Sequence, residues 1–295
     1  MALNLSGAFT ALVTPFRGDG SLDLDALARL VEWQIESGIS GLVPCGSTGE
    51  SATLTPEEHI RVVRHVVEVA SGRVPVVAGT GSNSTREAIE LTSAARSAGA
   101  DGALLISPYY NKPTQEGIYQ HYRMVALESG LPIVLYNIPG RTASRIESET
   151  TARLSRVPGV TGLKECGGDF AATAETIQSV APGFAVLSGD DPLTLPLLSI
   201  GASGVISTVS NIAPGPVAEL VRRFAAGDLA GARRIHYELL PLALALFIET
   251  NPIPVKTALA ILGRIPNAVL RLPLTEMAKK NRDRLEAALA ELPRA

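Results

Sequence analysis

The chain has 295 residues, 46% of them hydrophobic and 19% charged, with a formal net charge of −3. That much apolar material and that little charge exclude a disordered chain. The near balance of acid and base also excludes an overall basic nucleic-acid binder. The length suits two domains of average size or one large α/β barrel.

The stretch from Met1 to Phe16 contains neither Lys nor Arg, so the charged start of a secretory signal is not expected. Eight short apolar segments then recur, at residues 8–13, 40–44, 74–79, 102–106, 132–137, 160–164, 184–188 and 203–207. They begin roughly 20 to 33 residues apart, near the length of one strand plus one helix. Several are apolar almost throughout, as in Ile133-Val134-Leu135-Tyr136. Strands covered on both faces read this way, and parallel sheets are covered on both faces.

The intervening segments predict helices. Leu24, Leu27, Leu30, Val31 and Ile35 recur at helical spacing. Thr55-Pro56-Glu57-Glu58 offers an N-cap, a proline at the first helical position and a capping-box glutamate, and Ser84-Thr85-Arg86-Glu87 predicts the same box. Gly99 and Gly130 stand where helices should stop, and Asp191-Pro192 can open another. Beyond residue 214 only helical stretches follow, at 217–225, 230–248, 254–262 and 275–292. The pattern predicts an α/β chain folded as a (β/α)8 TIM barrel (residues 1–225) with an appended C-terminal helical region (226–295). An open doubly wound sheet is the alternative, because periodicity alone does not show closure.

The longest apolar run of the C-terminal half, residues 239–248, is interrupted by Pro241. It falls short of the ~18 to 20 residues that span a bilayer, so no membrane association is expected. Cys45 and Cys166 are too few for a disulfide scaffold. They suit a reducing compartment, and a cytoplasmic protein is the expectation.

In such a barrel the chemistry lies at the C-terminal ends of the strands. The polar residues ending the apolar runs include Thr14, Ser47-Thr48, Thr80, Tyr109-Tyr110, Tyr136-Asn137, Lys164-Glu165, Gly189-Asp190 and Ser207. Lys164 follows a buried-strand pattern. A partly desolvated amine there has a lowered pKa and can attack a ketone to form a Schiff base; a solvated strand-end lysine is the plainer alternative. Tyr136 can relay protons if other hydroxyls hold it, or it is a core tyrosine with a satisfied hydroxyl. Gly46-Ser47-Thr48-Gly49-Glu50 follows a strand and precedes a helix, so its backbone N–H groups and hydroxyls can converge on an anion. It carries no nucleotide-binding signature. His59, His65, His121 and His236 form no metal-ligand spacing, so no metal is expected. Cys166 is expected to be a buried, inert thiol.

Taken together, Gly46-Ser47-Thr48-Gly49-Glu50-Ser51, Pro108-Tyr109-Tyr110-Asn111-Lys112-Pro113, Tyr136-Asn137-Ile138-Pro139-Gly140-Arg141-Thr142, Gly162-Leu163-Lys164-Glu165, Ser188-Gly189-Asp190-Asp191 and Asn251-Pro252-Ile253-Pro254-Val255-Lys256 resemble the dihydrodipicolinate synthase and N-acetylneuraminate lyase family of Schiff-base aldolases. The match covers nearly the whole chain. The resemblance implies a (β/α)8 barrel with C-terminal helices, no cofactor and an imine between Lys164 and pyruvate. By the same resemblance Tyr136 is the proton relay, working with Ser47 and with Tyr110, which in the family reaches in from a neighbouring subunit. At least a dimer is therefore implied, and by the resemblance a homotetramer, a dimer of dimers. Thr48 resembles the cradle of the pyruvate carboxylate, and Gly189 and Ile206 resemble residues lining the pyruvate pocket.

Arg141 resembles the arginine with which the family's synthases grip the carboxylate of aspartate 4-semialdehyde, for which a bidentate guanidinium is suited. Ser47 stands where those synthases usually carry threonine, and serine is common in the lyases. The implied activity is condensation of pyruvate with aspartate 4-semialdehyde, feeding diaminopimelate and lysine. The alternatives are cleavage of a 2-keto-3-deoxy acid or a sialic acid by an aldolase of the same family, and a catalytically silent keto-acid-binding barrel. His59, Asn83, Glu87 and Tyr109 resemble parts of the family's lysine site. Pro56 replaces a histidine found there in some lysine-sensitive members, so weak inhibition by lysine is the expectation.

Overall fold

The computed structural model describes residues 3–292. Eight strands form one sheet: β1 (Gly7–Ala11), β2 (Gly41–Val43), β3 (Val77–Gly79), β4 (Gly102–Ile106), β5 (Ile133–Asn137), β6 (Val160–Glu165), β7 (Ala185–Ser188) and β8 (Gly204–Ser207). Each falls on a predicted apolar segment. All pairings are parallel and run β2-β1-β8-β7-β6-β5-β4-β3. A parallel bridge between Leu42 and Val76, with a bond from Gly79 N–H to the Pro44 carbonyl, joins β2 to β3. The sheet is a barrel, and the open-sheet alternative is excluded.

Helices fill the connections: α1 (Leu24–Glu36), α2 (Pro56–Ala70), α3 (Thr85–Ser97), α4 (Gln115–Ser129), α5 (Pro139–Thr142), α6 (Ser148–Leu154), α7 (Phe170–Ser179), α8 (Thr194–Ser199) and α9 (Pro214–Ala225). Three more follow: α10 (Leu229–Ala245), which continues through Pro241, α11 (Ile253–Ile261) and α12 (Lys279–Ala290). Helix α9 packs against β1 and β8 as the barrel's last helix, while α10 rests on α9, and α12 on α10 and α11. No helix among the described residues is long and apolar enough to cross a membrane.

Strand alternation divides the apolar side chains into two cores. The larger lies between strands and helices and takes residues such as Leu42, Val66, Leu105, Ile133 and Leu163. The smaller fills the barrel with Leu5, Phe9, Val43, Val77, Leu104, Val134, Tyr136, Leu187 and Ile206. This inner core is the floor beneath the functional site.

Local signals set most helix starts. Thr55 caps α2 in a full capping box with Glu58, and Pro56 occupies the first turn. Ser84 accepts from the Glu87 N–H at the start of α3, but the Glu87 carboxylate turns instead to the Ser82 hydroxyl. The predicted second capping box is therefore only half formed, because a nearby hydroxyl competes for the glutamate. Gly130 ends α4 in the left-handed region. Asp191-Pro192 opens a short 3-10 turn that leads into α8.

Candidate active site

Lys164 and Tyr136 are register partners on β6 and β5. The inward direction of Lys164 is set two residues earlier: a Cβ on Gly162 would meet Leu5 Cδ1 of the inner core at 2.8 Å, so that strand face looks into the barrel. Lys164 is only 5% exposed, and its Nζ lies 4.3 Å from the centre of the Tyr136 ring. Burial pushes the Lys164 amine down from its ordinary pKa, and Cys166 and Asp191 pull the other way. Burial pushes the Tyr136 phenol well above its ordinary value, while Arg141 and the Ser47 hydroxyl favour its ionised form.

Above this pair opens a cavity of about 470 Å³. Its wall includes Ser47, Tyr136, Arg141 and Asn251, with Pro273 and Leu274 from the stretch between α11 and α12. Lys164 is not part of the wall, and its amine lies against the Tyr136 ring. Ile206 on β8 is 1% exposed and shares the inner core with Tyr136. Gly189 follows β7 and leaves room for the lysine: a Cβ there would collide with Cys166 Sγ and meet Lys164 Cε at 2.7 Å. The sequence-predicted Lys164, Tyr136, Ser47, Arg141, Gly189 and Ile206 thus converge on one end of the barrel.

Thr48 is buried, and its Oγ1 accepts from Asn251 Nδ2 at 2.9 Å. Arg141 Nη2 donates to the Asn251 carbonyl at 2.9 Å. Tyr110 is 87% exposed, has φ 71° and is absent from the cavity wall. The four residues resembling a lysine site also lie together. His59, Glu87 and Tyr109 line the same cavity, and Asn83 Nδ2 donates to the Tyr109 carbonyl at 3.2 Å. His59 Nε2 is 2.7 Å from the Gly79 carbonyl, and burial lowers its pKa. Burial pushes the Cys166 thiol up to about 12. Among the described residues no three His, Cys, Asp or Glu side chains gather as a metal site requires.

Several contacts at the site are not contained in the motifs that carry their residues. Asn251 bonds both Thr48 and Arg141. Lys256 and Glu50 form an ion pair at 2.7 Å with side chains 0% and 1% exposed. Lys256 also donates to the Thr14 carbonyl at 2.9 Å. Glu50 sits two residues beyond Thr48, so this pair holds the hydroxyl-bearing loop on α11. A signal existed: Lys256 is the only charged residue in Ile253–Ile261, and a charge in an apolar run must be paired if buried. Asp191 does more than open a helix. Its half-buried carboxylate accepts from Thr208 and Val209 N–H and from the Ser207 hydroxyl, and it acts electrostatically on Lys164.

Fold and site together define a (β/α)8-barrel enzyme with a desolvated lysine at its strand ends. The chain belongs to the dihydrodipicolinate synthetase family, whose model matches residues 4–292. It is 55% identical over 289 residues to the 4-hydroxy-tetrahydrodipicolinate synthase of Nitratidesulfovibrio vulgaris (strain DP4), covering 98% of each chain. It superimposes on the crystal structure of dihydrodipicolinate synthase from Aquifex aeolicus with a TM-score of 0.95 and 46% identity, covering 97% of this chain and 98% of that one. The chloride-inhibited dihydrodipicolinate synthase from Acinetobacter baumannii, crystallised with pyruvate, gives a TM-score of 0.95 and 45% identity over 98% of this chain and 99% of that one.

Proposed function

We propose that this chain is a 4-hydroxy-tetrahydrodipicolinate synthase, condensing pyruvate with L-aspartate 4-semialdehyde in the diaminopimelate route to lysine. The observation that carries this is the buried Lys164 amine against Tyr136, in a barrel whose relatives bear that name over 98% of their length.

In the proposed chemistry the neutral Lys164 Nζ adds to the ketone carbon of pyruvate, and water leaves as the protonated imine forms. The imine draws electrons, so a methyl proton departs and an enamine results. The enamine carbon attacks the aldehyde, whose oxygen takes a proton. The amino group of the second substrate then displaces Lys164 as the ring closes. Thr48 holds the pyruvate carboxylate, with Gly189 and Ile206 shaping the pocket. Arg141 at the cavity wall takes the carboxylate of the aldehyde. Tyr136 moves protons with Ser47 and with Tyr110. Holding both reacting carbons in one cavity removes the entropy cost from the chemical step.

A homotetramer goes with this proposal, a neighbouring subunit presenting Tyr110; its 87% exposure supports such a role. A cytoplasmic location, a catalytic barrel over residues 1–225 and a bracing region over 226–295 belong to the same proposal. So does weak binding of lysine at His59, Asn83, Glu87 and Tyr109.

The test is pyruvate-dependent consumption of aspartate 4-semialdehyde by the purified protein, beside borohydride trapping of pyruvate. Wild type should do both and Lys164→Ala neither. Arg141→Ala should trap pyruvate yet barely consume the aldehyde. Folded wild type that traps pyruvate, ignores this aldehyde and cleaves a 2-keto-3-deoxy acid would establish an aldolase instead.

A further inference from the structure

Asn251 lies outside the strands, two residues before α11, yet it touches both sides of the site. Its Nδ2 donates to Thr48 Oγ1, and its main-chain carbonyl accepts from Arg141, each at 2.9 Å. The residue is 6% exposed and forms part of the cavity wall. Among the described residues its Oδ1 has no hydrogen-bond partner. A buried acceptor left unpaired is a cost that an apolar side chain of similar shape would avoid. Stability alone therefore does not account for an amide here.

A second contact runs beside the first. Thr48 and Glu50 stand two apart in the loop, and Asn251 and Lys256 bond them from the start of α11. The fully buried Glu50–Lys256 pair stops the loop from sliding along α11, so the Asn251–Thr48 geometry is held from both ends.

We propose that Asn251 is a positioning residue for pyruvate, acting through Thr48. A hydroxyl offers one donor and two acceptor sites. With Nδ2 donating to Thr48 Oγ1, the Thr48 proton is directed away from the amide and stays available to the substrate carboxylate. This inference rests on the proposed synthase function, in which Thr48 holds that carboxylate.

The test is a double-mutant cycle on KM for pyruvate with Asn251→Ala, Thr48→Val and the pair. Each single variant should raise this KM about tenfold, the worth of one hydrogen bond near the upper end of its range. The turnover number should stay within about threefold, as for a binding group. KM for the aldehyde should change little, because the carbonyl that holds Arg141 remains. The double variant should be no worse than Thr48→Val alone. Additive effects on KM, or an Asn251→Ala that only melts earlier, would overturn the proposal. Asn251→Asp keeps the shape but accepts the Thr48 proton, so it should raise KM for pyruvate as Ala does; a wild-type value there also overturns it. Borohydride trapping on the wild type separates the two levels. No adduct there removes the synthase proposal itself, whereas an adduct with unchanged KM in the variants removes only the role of Asn251.

Discussion

Lys164 and Tyr136 sit opposite each other on adjacent parallel strands, the Lys164 amine 4.3 Å from the centre of the phenol ring. Two effects compete at this contact. The ring face attracts an ammonium by about 0.5–2 kcal/mol, and burial penalises the charged form by several kcal/mol unless it is paired. Burial wins, and the amine is held below its ordinary pKa of 10.5. The same burial favours the protonated Tyr136 phenol, so the pair sets an amine with an enlarged neutral fraction beside a protonated hydroxyl.

A lowered lysine pKa means a larger neutral fraction at any pH below 10.5. The rate of pyruvate trapping should therefore rise with pH and level off below that value. Asp191→Asn removes a carboxylate that favours the charged amine, while keeping an acceptor for the Thr208 and Val209 N–H groups. Its profile should move further to low pH. A move to higher pH, read by single-turnover trapping across pH 6 to 11, contradicts this assignment.

Gly189→Ala should injure chemistry more than folding. The new methyl group would meet Cys166 Sγ and the Lys164 stem well inside contact distance, and overpacking of this kind costs about 1–3 kcal/mol. Displacing the amine should lower kcat/KM roughly 10- to 100-fold, the loss that such an energy represents. Circular dichroism should remain native. Cys166→Ala in the same chain vacates the space of the thiol and should restore part of the rate.

Breaking the Glu50–Lys256 pair should be expensive on one side only. Lys256→Met strands a fully buried carboxylate and should destabilise by about 3–5 kcal/mol. Adding Glu50→Gln removes the stranded charge and keeps an acceptor for the Arg271 N–H. Urea unfolding should show the double variant more stable than Lys256→Met alone. Equal or lower stability of the double variant would mean the pair is not the clamp described.

Arg271 holds both carboxylate oxygens of Glu58 at 2.6 Å and lowers its pKa from 4.5 to about 2. A group whose folded pKa is depressed lends stability above its unfolded pKa and loses it as pH falls through the folded value. The contribution should thus be full above pH 4.5 and fade towards pH 2. Glu58→Gln should melt below wild type at neutral pH, with the gap narrowing between these limits. The gap is small because both side chains are partly solvated.

Much of this was legible in the sequence for one reason. Strands buried on both faces appear as unbroken apolar runs, so a polar residue ending a run marks the strand-end rim of the barrel. Lys164 and Tyr136 were found that way. Helix caps were less secure: Thr55 and Glu58 close their box, but Glu87 prefers Ser82, a choice the Ser84–Glu87 spacing does not contain. The Asn251 motif did not reveal its contacts, because the partners lie 203 residues away at Thr48 and 110 away at Arg141.

By itself, then, the sequence determined the eight-unit rhythm, the strand ends and the lysine that carries the proposed chemistry, because burial periodicity is written into neighbouring residues. The tertiary structure alone decided closure of the barrel, the contact of Lys164 with the Tyr136 ring, and the ties from α11 to the Thr48 loop. Those depend on long-range partners in space, and only the folded packing chooses which polar groups meet where water is excluded.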